Sequence, residues 1–252
     1  DGIESKKIKT VIHAVFKYHE PHGSVYAYIS NWLSKTMTNG QAPFVPYMID
    51  LPQLTGNLRS TLGIPADALV FGRYGGPDSF NIPFVHELII KMVHDNPQVH
   101  FLLMNTRDFI NQPKNFWDKV RSKVFPYCHP QIHFVPPTPS LAMKSQFINS
   151  CDAMIHARDR GETFGAAVGE FSSHNCPIIT FGGNHDPKYE AAHLDMLGDK
   201  CFIYNNSAEL KDIFVDFLHH KDSIKLKNWD AYSTEFSPIN VMHKFRKIFL
   251  DN

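Results

Sequence analysis

The sequence lacks any imbalance of charge: 25 Lys and Arg stand against 25 Asp and Glu, and the formal net charge is zero. That removes the broad basic field which nucleic acid or an anionic membrane surface would need. A long apolar run is missing too. No stretch approaches the roughly 20 residues of a membrane span, and the opening Asp1-Gly2-Ile3-Glu4-Ser5-Lys6-Lys7 has no signal-peptide core. Both absences lead to the expectation of a cytoplasmic protein. Cysteine is sparse. Cys128, Cys151, Cys176 and Cys201 lie more than 20 residues apart with no Cys-x-x-Cys pair, which leaves no basis for a zinc knuckle or a disulfide-stapled framework. There is no repeat and no low-complexity tract. The first residue is not Met, which fits a processed product or a piece of a longer polypeptide.

What is present is a patterned α/β chain. From residue 68 onward, short β-branched or aromatic runs alternate with segments of helical period, the signature of repeated βα units on a parallel sheet. Strands are expected at 68–72, 99–105, 132–135, 153–157, 177–181 and 201–204, with helices at 83–94, 115–124, 141–149, 165–173, 189–197 and 208–219. These make one doubly wound, Rossmann-like domain. Upstream, a strand at 9–16, a helix at 25–35 and a strand at 44–49 form a partial layer too small to close a core alone. Residues 51–57, with Pro52 and Gly56, read as a linker. Two further helices are expected at 222–232 and 238–250. The division is therefore a partial α/β domain over 1–52, the Rossmann-like domain over 53–235, and a C-terminal helix over 236–252 that packs back on the N-terminal part.

In an open α/β sheet, ligands bind beyond the carboxyl ends of the strands, where the strand order reverses. In the order 3-2-1-4-5-6 the first and fourth strands meet at that crevice. The loop after the first holds Arg73, Gly75 and Gly76, and the loop after the fourth holds Arg158, Arg160, Glu162, Phe164 and Gly165. Glycines allow close backbone approach, helix N-termini offer free N–H groups, and arginines neutralise an anion. A phosphate or diphosphate suits this combination. Glu162 and Glu170 are eight residues apart. If both belong to one helix, about 12 Å of axial rise separates them, too far for a carboxylate pair flanking one bond and suited to opposite ends of an elongated ligand. Glu170 sits in the apolar Ala166-Ala167-Val168-Gly169-Glu170-Phe171 and is expected to have a partner.

The segment Gly161-Glu162-Thr163-Phe164-Gly165-Ala166-Ala167-Val168-Gly169-Glu170-Phe171, followed by Asn175-Cys176-Pro177-Ile178-Ile179, resembles the E-x7-E region of retaining nucleotide-sugar glycosyltransferases with the GT-B fold, of the GT4 type. Leu62-Gly63-Ile64-Pro65, Phe71-Gly72-Arg73, Ser150-Cys151-Asp152-Ala153 and Gly182-Gly183 extend the likeness. Upstream, Thr10-Val11-Ile12-His13 and Val45-Pro46-Tyr47-Met48-Ile49-Asp50 are similar to the end of that family's acceptor domain and its hinge.

The resemblance implies transfer of a sugar from a nucleotide diphosphate donor to an unknown acceptor, with retention and without a bound metal or other cofactor. Fixed positive groups then stabilise the departing diphosphate. By the same resemblance Arg73 contacts the diphosphate, Glu162 and the Phe164 and Gly165 backbone hold the donor sugar or phosphate, Glu170 bonds the ribose, and His13 lies near the donor sugar. Gly75, Gly76, Arg158 and Arg160 complete the donor site. The family's Lys after the first-strand Arg has no counterpart in Tyr74 to Phe80, which leaves Arg158 or Arg160 to replace it. The early part of the acceptor domain has no counterpart either, so a partner chain or missing domain is an expected component. A non-catalytic sugar-nucleotide-binding module is the alternative, and a nucleotide-sugar epimerase a weaker third. His129 with His133 and His219 with His220 are read as chance clusters among 15 histidines.

Overall fold

The computed structural model describes residues 8–111 and 129–251. The helix expected at 115–124 lies outside them. The N-terminal part contributes β1 (Val11–Ala14) and β2 (Val25–Tyr28), paired in parallel, then α1 (Asn31–Thr38). This differs from the expected helix over 25–35. Alternating Val25, Tyr26 and Tyr28 favour a strand, and the helix begins only where the Ser30 side chain accepts a hydrogen bond from the Leu33 amide. The strand expected at 44–49 is reduced to one bridge between Tyr28 and Phe44.

The larger part begins with β3 (Leu69–Tyr74), α2 (Pro83–Asp95), β4 (Val99–Met104), β5 (Ile132–Val135), α3 (Leu141–Asn149) and β6 (Ala153–His156). It continues with β7 (Gly161–Glu162), α4 (Ala166–Ser173), β8 (Ile178–Phe181), β9 (Glu190–Ala191), α5 (Ala192–Leu197), β10 (Phe202–Tyr204) and α6 (Ser207–Lys225). Six of these strands form one parallel sheet in the order β10-β8-β6-β3-β4-β5. In units of the sheet's own strands that is 3-2-1-4-5-6, so β3 and β6 are the neighbours at the switch point. The short β7 and β9 pair separately above it and had no periodic signal in the sequence.

Side-chain alternation along β3 builds a core on each face. Leu69 and Phe71 join Phe101, Val85, Phe214 and Phe217 on the face covered by α2 and α6. Val70 joins Leu102, Phe147 and Phe171 on the face covered by α3 and α4, and Tyr28, Ile29 and Leu33 of the N-terminal part enter this same core. The small upstream layer is thus completed by the large sheet. Gly72 permits the close approach of β3 to the turn before β6, because a Cβ there would stand 2.1 Å from the Cys151 sulfur.

The helix expected at 222–232 is absent. Helix α6 carries on to Lys225 across a non-helical His220, and the chain then leaves the helix. Asp230 accepts from the Tyr232 and Ser233 amides, a local alternative to helix that Asp readily offers. Tyr232 is fully buried against Gly169 of α4. Helix α7 (Pro238–Phe245), capped by Ser237, runs into a π turn over Arg246–Leu250, and Phe249 packs on Ala27 and Val45. Among the described residues no helix is long and apolar enough to cross a membrane.

At the N-terminal ends of the central strands β3 and β6, the buried Asp152 carboxylate accepts from Arg59, from Lys225 and from the Val70 amide, at 2.8, 2.9 and 2.8 Å. It ties the linker, β3, β6 and α6 together. Removing one partner of a buried ion pair leaves the other uncompensated. Asp152→Ala is therefore expected to lower unfolding stability by about 3 kcal/mol in a urea titration. A loss under about 1 kcal/mol would show that this junction is not held by charge.

Candidate active site

The C-terminal ends of β3 and β6 carry the two loops that the sequence placed opposite each other. Asn81, in the loop after β3, bonds the Ala157 carbonyl through its amide at 3.0 Å and exchanges two bonds with Asp159, at 2.8 and 3.0 Å. The loops therefore form one rim.

Arg73 ends β3 with only 3% of its surface exposed. Its guanidinium donates to Thr106 Oγ1 at 2.7 Å and Ser79 Oγ at 3.0 Å, and more weakly to the Gly76 carbonyl, while its plane lies over the Phe80 ring. Burial lowers its pKa from 12.5 to about 10, and the nearby negative charge of Glu162 pulls the other way. It remains a cation at neutral pH. Gly75 allows this arrangement: a Cβ there would come within 2.4 Å of the guanidinium. The Gly75 carbonyl in turn accepts from Asn105 at 2.8 Å.

Glu162 lies in β7, before α4 begins, so only half of the separation from Glu170 is helical and the 12 Å axial figure does not apply. Burial by itself would raise its pKa. His156, at 3.4 Å, and Arg158, at 2.6 Å, outweigh that and hold it at about 2. Arg158 is thus committed to Glu162. Arg160 is exposed, and its charge acts on Glu190. Phe164 is buried between Tyr47, Tyr232 and Phe236. Gly165, at φ 80°, is the N-cap of α4 without a side-chain cap, which leaves the first amides of the helix to other acceptors.

Glu170 has the partner its apolar surroundings required. It accepts from Tyr74 Oη at 2.6 Å and from Lys144 Nζ at 3.2 Å. Burial first, then Glu170, push the Tyr74 hydroxyl's pKa up, so it remains a donor. Lys144 was not singled out from the sequence. It is 26 residues from Glu170, and only the stacking of α3 beside α4 on one face joins them. His13, in β1, bonds the Val45 carbonyl at 2.5 Å and stands edge-on to Tyr47, which meets Phe164 in the same way. His13 is thus joined to Phe164 through the Tyr47 ring.

A second group missed in the sequence lies beneath Glu162. His156 Nδ1 meets Thr180 Oγ1 at 2.9 Å, and Thr180 Oγ1 meets Nε2 of His193, a residue with no exposed surface, at 3.1 Å. Burial holds His193 well below its usual pKa, hence neutral. Polar residues closing apolar strand runs, as in Ala153-Met154-Ile155-His156, were the available signal. His133 pairs with His100 at 3.0 Å, and His219 meets His220 edge-on. Among the described residues no group of three His, Cys, Asp or Glu could hold a metal ion.

No family model matches the sequence, and no curated protein matches it. Solved structures do. HepE from Anabaena, crystallised with UDP and glucose, is 16% identical with a TM-score of 0.66, over 91% of this chain and 63% of its own. A glycosyltransferase from Rickettsia africae is 14% identical with a TM-score of 0.61, over 90% and 64%. A sucrose-phosphate synthase from Thermosynechococcus elongatus is 13% identical with a TM-score of 0.57, over 90% and 55%. The chain spans less than two thirds of each. The likeness is one of fold, and the α/β architecture with its six-stranded parallel sheet is that of the Rossmann-like GT-B neighbours.

Because the folded-state pKa of Glu162 is depressed, its ionisation stabilises the protein above the unfolded value near 4.5, and that contribution is lost as pH falls towards about 2. The full shift corresponds to about 3 kcal/mol. Thermal melts of the parent and Glu162→Gln should differ by a constant amount above pH 5 and converge below pH 4.5. A gap that stays unchanged down to pH 3 would contradict the assigned ion pairs.

Proposed function

We propose that this chain contains the donor-binding part of a metal-independent, retaining glycosyltransferase of the GT-B class, GT4 type, which takes its sugar from a nucleotide diphosphate. The observation that carries the reading is that a buried guanidinium, Arg73, and the uncapped N-terminus of α4 belong to the loops beyond the two switch-point strands, with the charge of an ionised Glu162 acting on Arg73. Nucleotide-sugar ligands in the HepE neighbour's crystals favour the same reading.

In this reading residues 53–235 form the donor domain, 1–52 belong to the acceptor side and 236–252 cross back to it. The diphosphate sits against Arg73 and the amides at Phe164 and Gly165, with Gly75 and Gly76 giving its oxygens room. Leaving-group departure builds negative charge on the β-phosphate, and a preorganised cation with helix-terminal N–H groups stabilises that charge without reorganising. Glu162 bonds the donor sugar and Glu170 the ribose, with Lys144 and Tyr74 setting the rotamer of Glu170. His13 faces the sugar from the acceptor side. Arg158 serves by orienting Glu162, and Arg160 guides the anionic donor from the surface.

One observation favours a second reading, a binding module without transfer. No Lys follows Arg73 before Phe80, and Arg158, the nearest replacement, is engaged with Glu162.

UDP at one hundred times its Kd should raise stability by about 2.7 kcal/mol, read as an upward shift in Tm. Arg73→Met should weaken UDP binding by about tenfold to a hundredfold, equivalent to about 1.4 to 3 kcal/mol, read at a temperature where the variant's own thermal melt shows it folded. No shift with UDP, GDP or ADP, or an unchanged affinity in Arg73→Met, would refute the donor site. Turnover of UDP-glucose with an acceptor supports the transferase, whereas tight UDP-glucose binding without turnover supports the module.

A further inference from the structure

Glu162 is held from below by residues on three different elements. His156 closes β6, Thr180 lies in β8 and His193 lies in α5. All three are at most 6% exposed, so their polar atoms are partnered by the protein, with the one exception of Nδ1 of His193 among the described residues. A neutral imidazole carries one N–H and one bare nitrogen. Nδ1 of His193 has no hydrogen-bond partner, so its proton resides on Nε2, facing the oxygens of Thr180 and Tyr189 at 3.1 and 3.3 Å. Tyr189 spends its own proton on the Phe181 carbonyl. Thr180 therefore accepts from His193, and its hydroxyl proton has two acceptors in reach: the Phe181 carbonyl at 3.4 Å, which already accepts from Tyr189, and the nearer Nδ1 of His156 at 2.9 Å, to which it turns. Nδ1 of His156 is then the acceptor, and its proton is on Nε2, directed at Glu162 Oε1 3.4 Å away.

The same device reaches the start of α4. A Cβ placed on Gly165 would meet the His193 Cβ at 3.2 Å and the Glu162 Cβ at 3.4 Å. The backbone of the helix N-cap and the stems of the His193 and Glu162 side chains are thus closely packed, and glycine at 165 is what leaves them room.

We propose that His156 is a positioning residue: fixed by the buried Thr180–His193 pair, it donates from Nε2 to Glu162 and holds that carboxylate in the orientation that recognises the sugar of a nucleotide-sugar donor. Arg158 grips Oε2 from the solvent side at 2.6 Å while His156 approaches Oε1 from the interior. With both oxygens held, Glu162 keeps one set of outward lone pairs for sugar hydroxyls. The role depends on the donor-site reading given above, whereas the proton order rests on the hydrogen-bond distances and on the neutral, buried His193.

Two measurements separate these. Two-bond 15N–1H spectra of the 15N-histidine-labelled parent, assigned with His156→Gln and His193→Gln, report the ring directly. The expected result is an Nε2–H tautomer for His156 with Nδ1 bare, and an Nδ1 resonance that moves in Thr180→Val. An Nδ1–H tautomer, or no change in Thr180→Val, overturns the proton order and with it the inference. Calorimetric titration with UDP and with UDP-glucose reads the positioning. His156→Phe should bind UDP within about threefold of the parent yet lose about tenfold in affinity for UDP-glucose, and His156→Gln, whose amide can donate as Nε2–H does, should recover most of that loss. Equal losses for both ligands, or no recovery in His156→Gln, would show a merely structural histidine. If the parent binds neither ligand, the donor-site reading and the positioning role fall while the spectra still decide the proton order.

Discussion

Keeping Arg73 and Glu162 charged at one mostly buried crevice is the constraint on which the rest of the structure depends. Each ion alone would suffer from the loss of water. Arg73 is stabilised by hydroxyl and carbonyl acceptors from its own loop and from the loop after β4, and Glu162 by His156 and Arg158. Their opposite charges also act on one another. The cost of burial falls on the fold, and what it yields is a set of fixed charges held in place by their own hydrogen bonds.

The topology decides which residues share that crevice. The order 3-2-1-4-5-6 sets β3 beside β6, so the loops carrying Arg73 and Glu162 are neighbours although almost ninety residues of chain separate them. Asn81 and Asp159 then lock the two loops at their outer margin. Alternation along β3 has a second consequence. Arg73 and Tyr74 are successive residues and so project to opposite faces, which gives Arg73 to the loop side and Tyr74 to Glu170 and Lys144. One strand end therefore reaches both the loop side that holds Glu162 and the helix face that holds Glu170. The Asp152 junction at the opposite, N-terminal ends ties the same two strands together.

Much of this was legible in the sequence because it rests on local periodicity. The six sheet strands are short apolar runs bounded by Gly, Pro or charged residues, and each was found within a residue or two. The need of Glu170 for a partner was also readable, from a single carboxylate in an apolar helix. Identifying Lys144 as that partner required knowing that α3 and α4 cover the same face. The N-terminal part misled for a physical reason: Val25 to Tyr28 pairs with β1, and the Ser30 cap, not the apolar pattern, sets where α1 starts. The stretch after Lys225 misled because Asp230 and the buried Tyr232 draw the chain out of helix. The imidazole chain under Glu162 joins strands and a helix distant in sequence, and only its polar residues at the ends of apolar runs hinted at it.

The most direct test of the account is a crystal structure of this protein with UDP-glucose. The account predicts the diphosphate against the Arg73 guanidinium and the amides at the start of α4, the ribose at Glu170 and the sugar at Glu162. A nucleotide bound on any other edge of the sheet, or a diphosphate out of reach of Arg73, would contradict it.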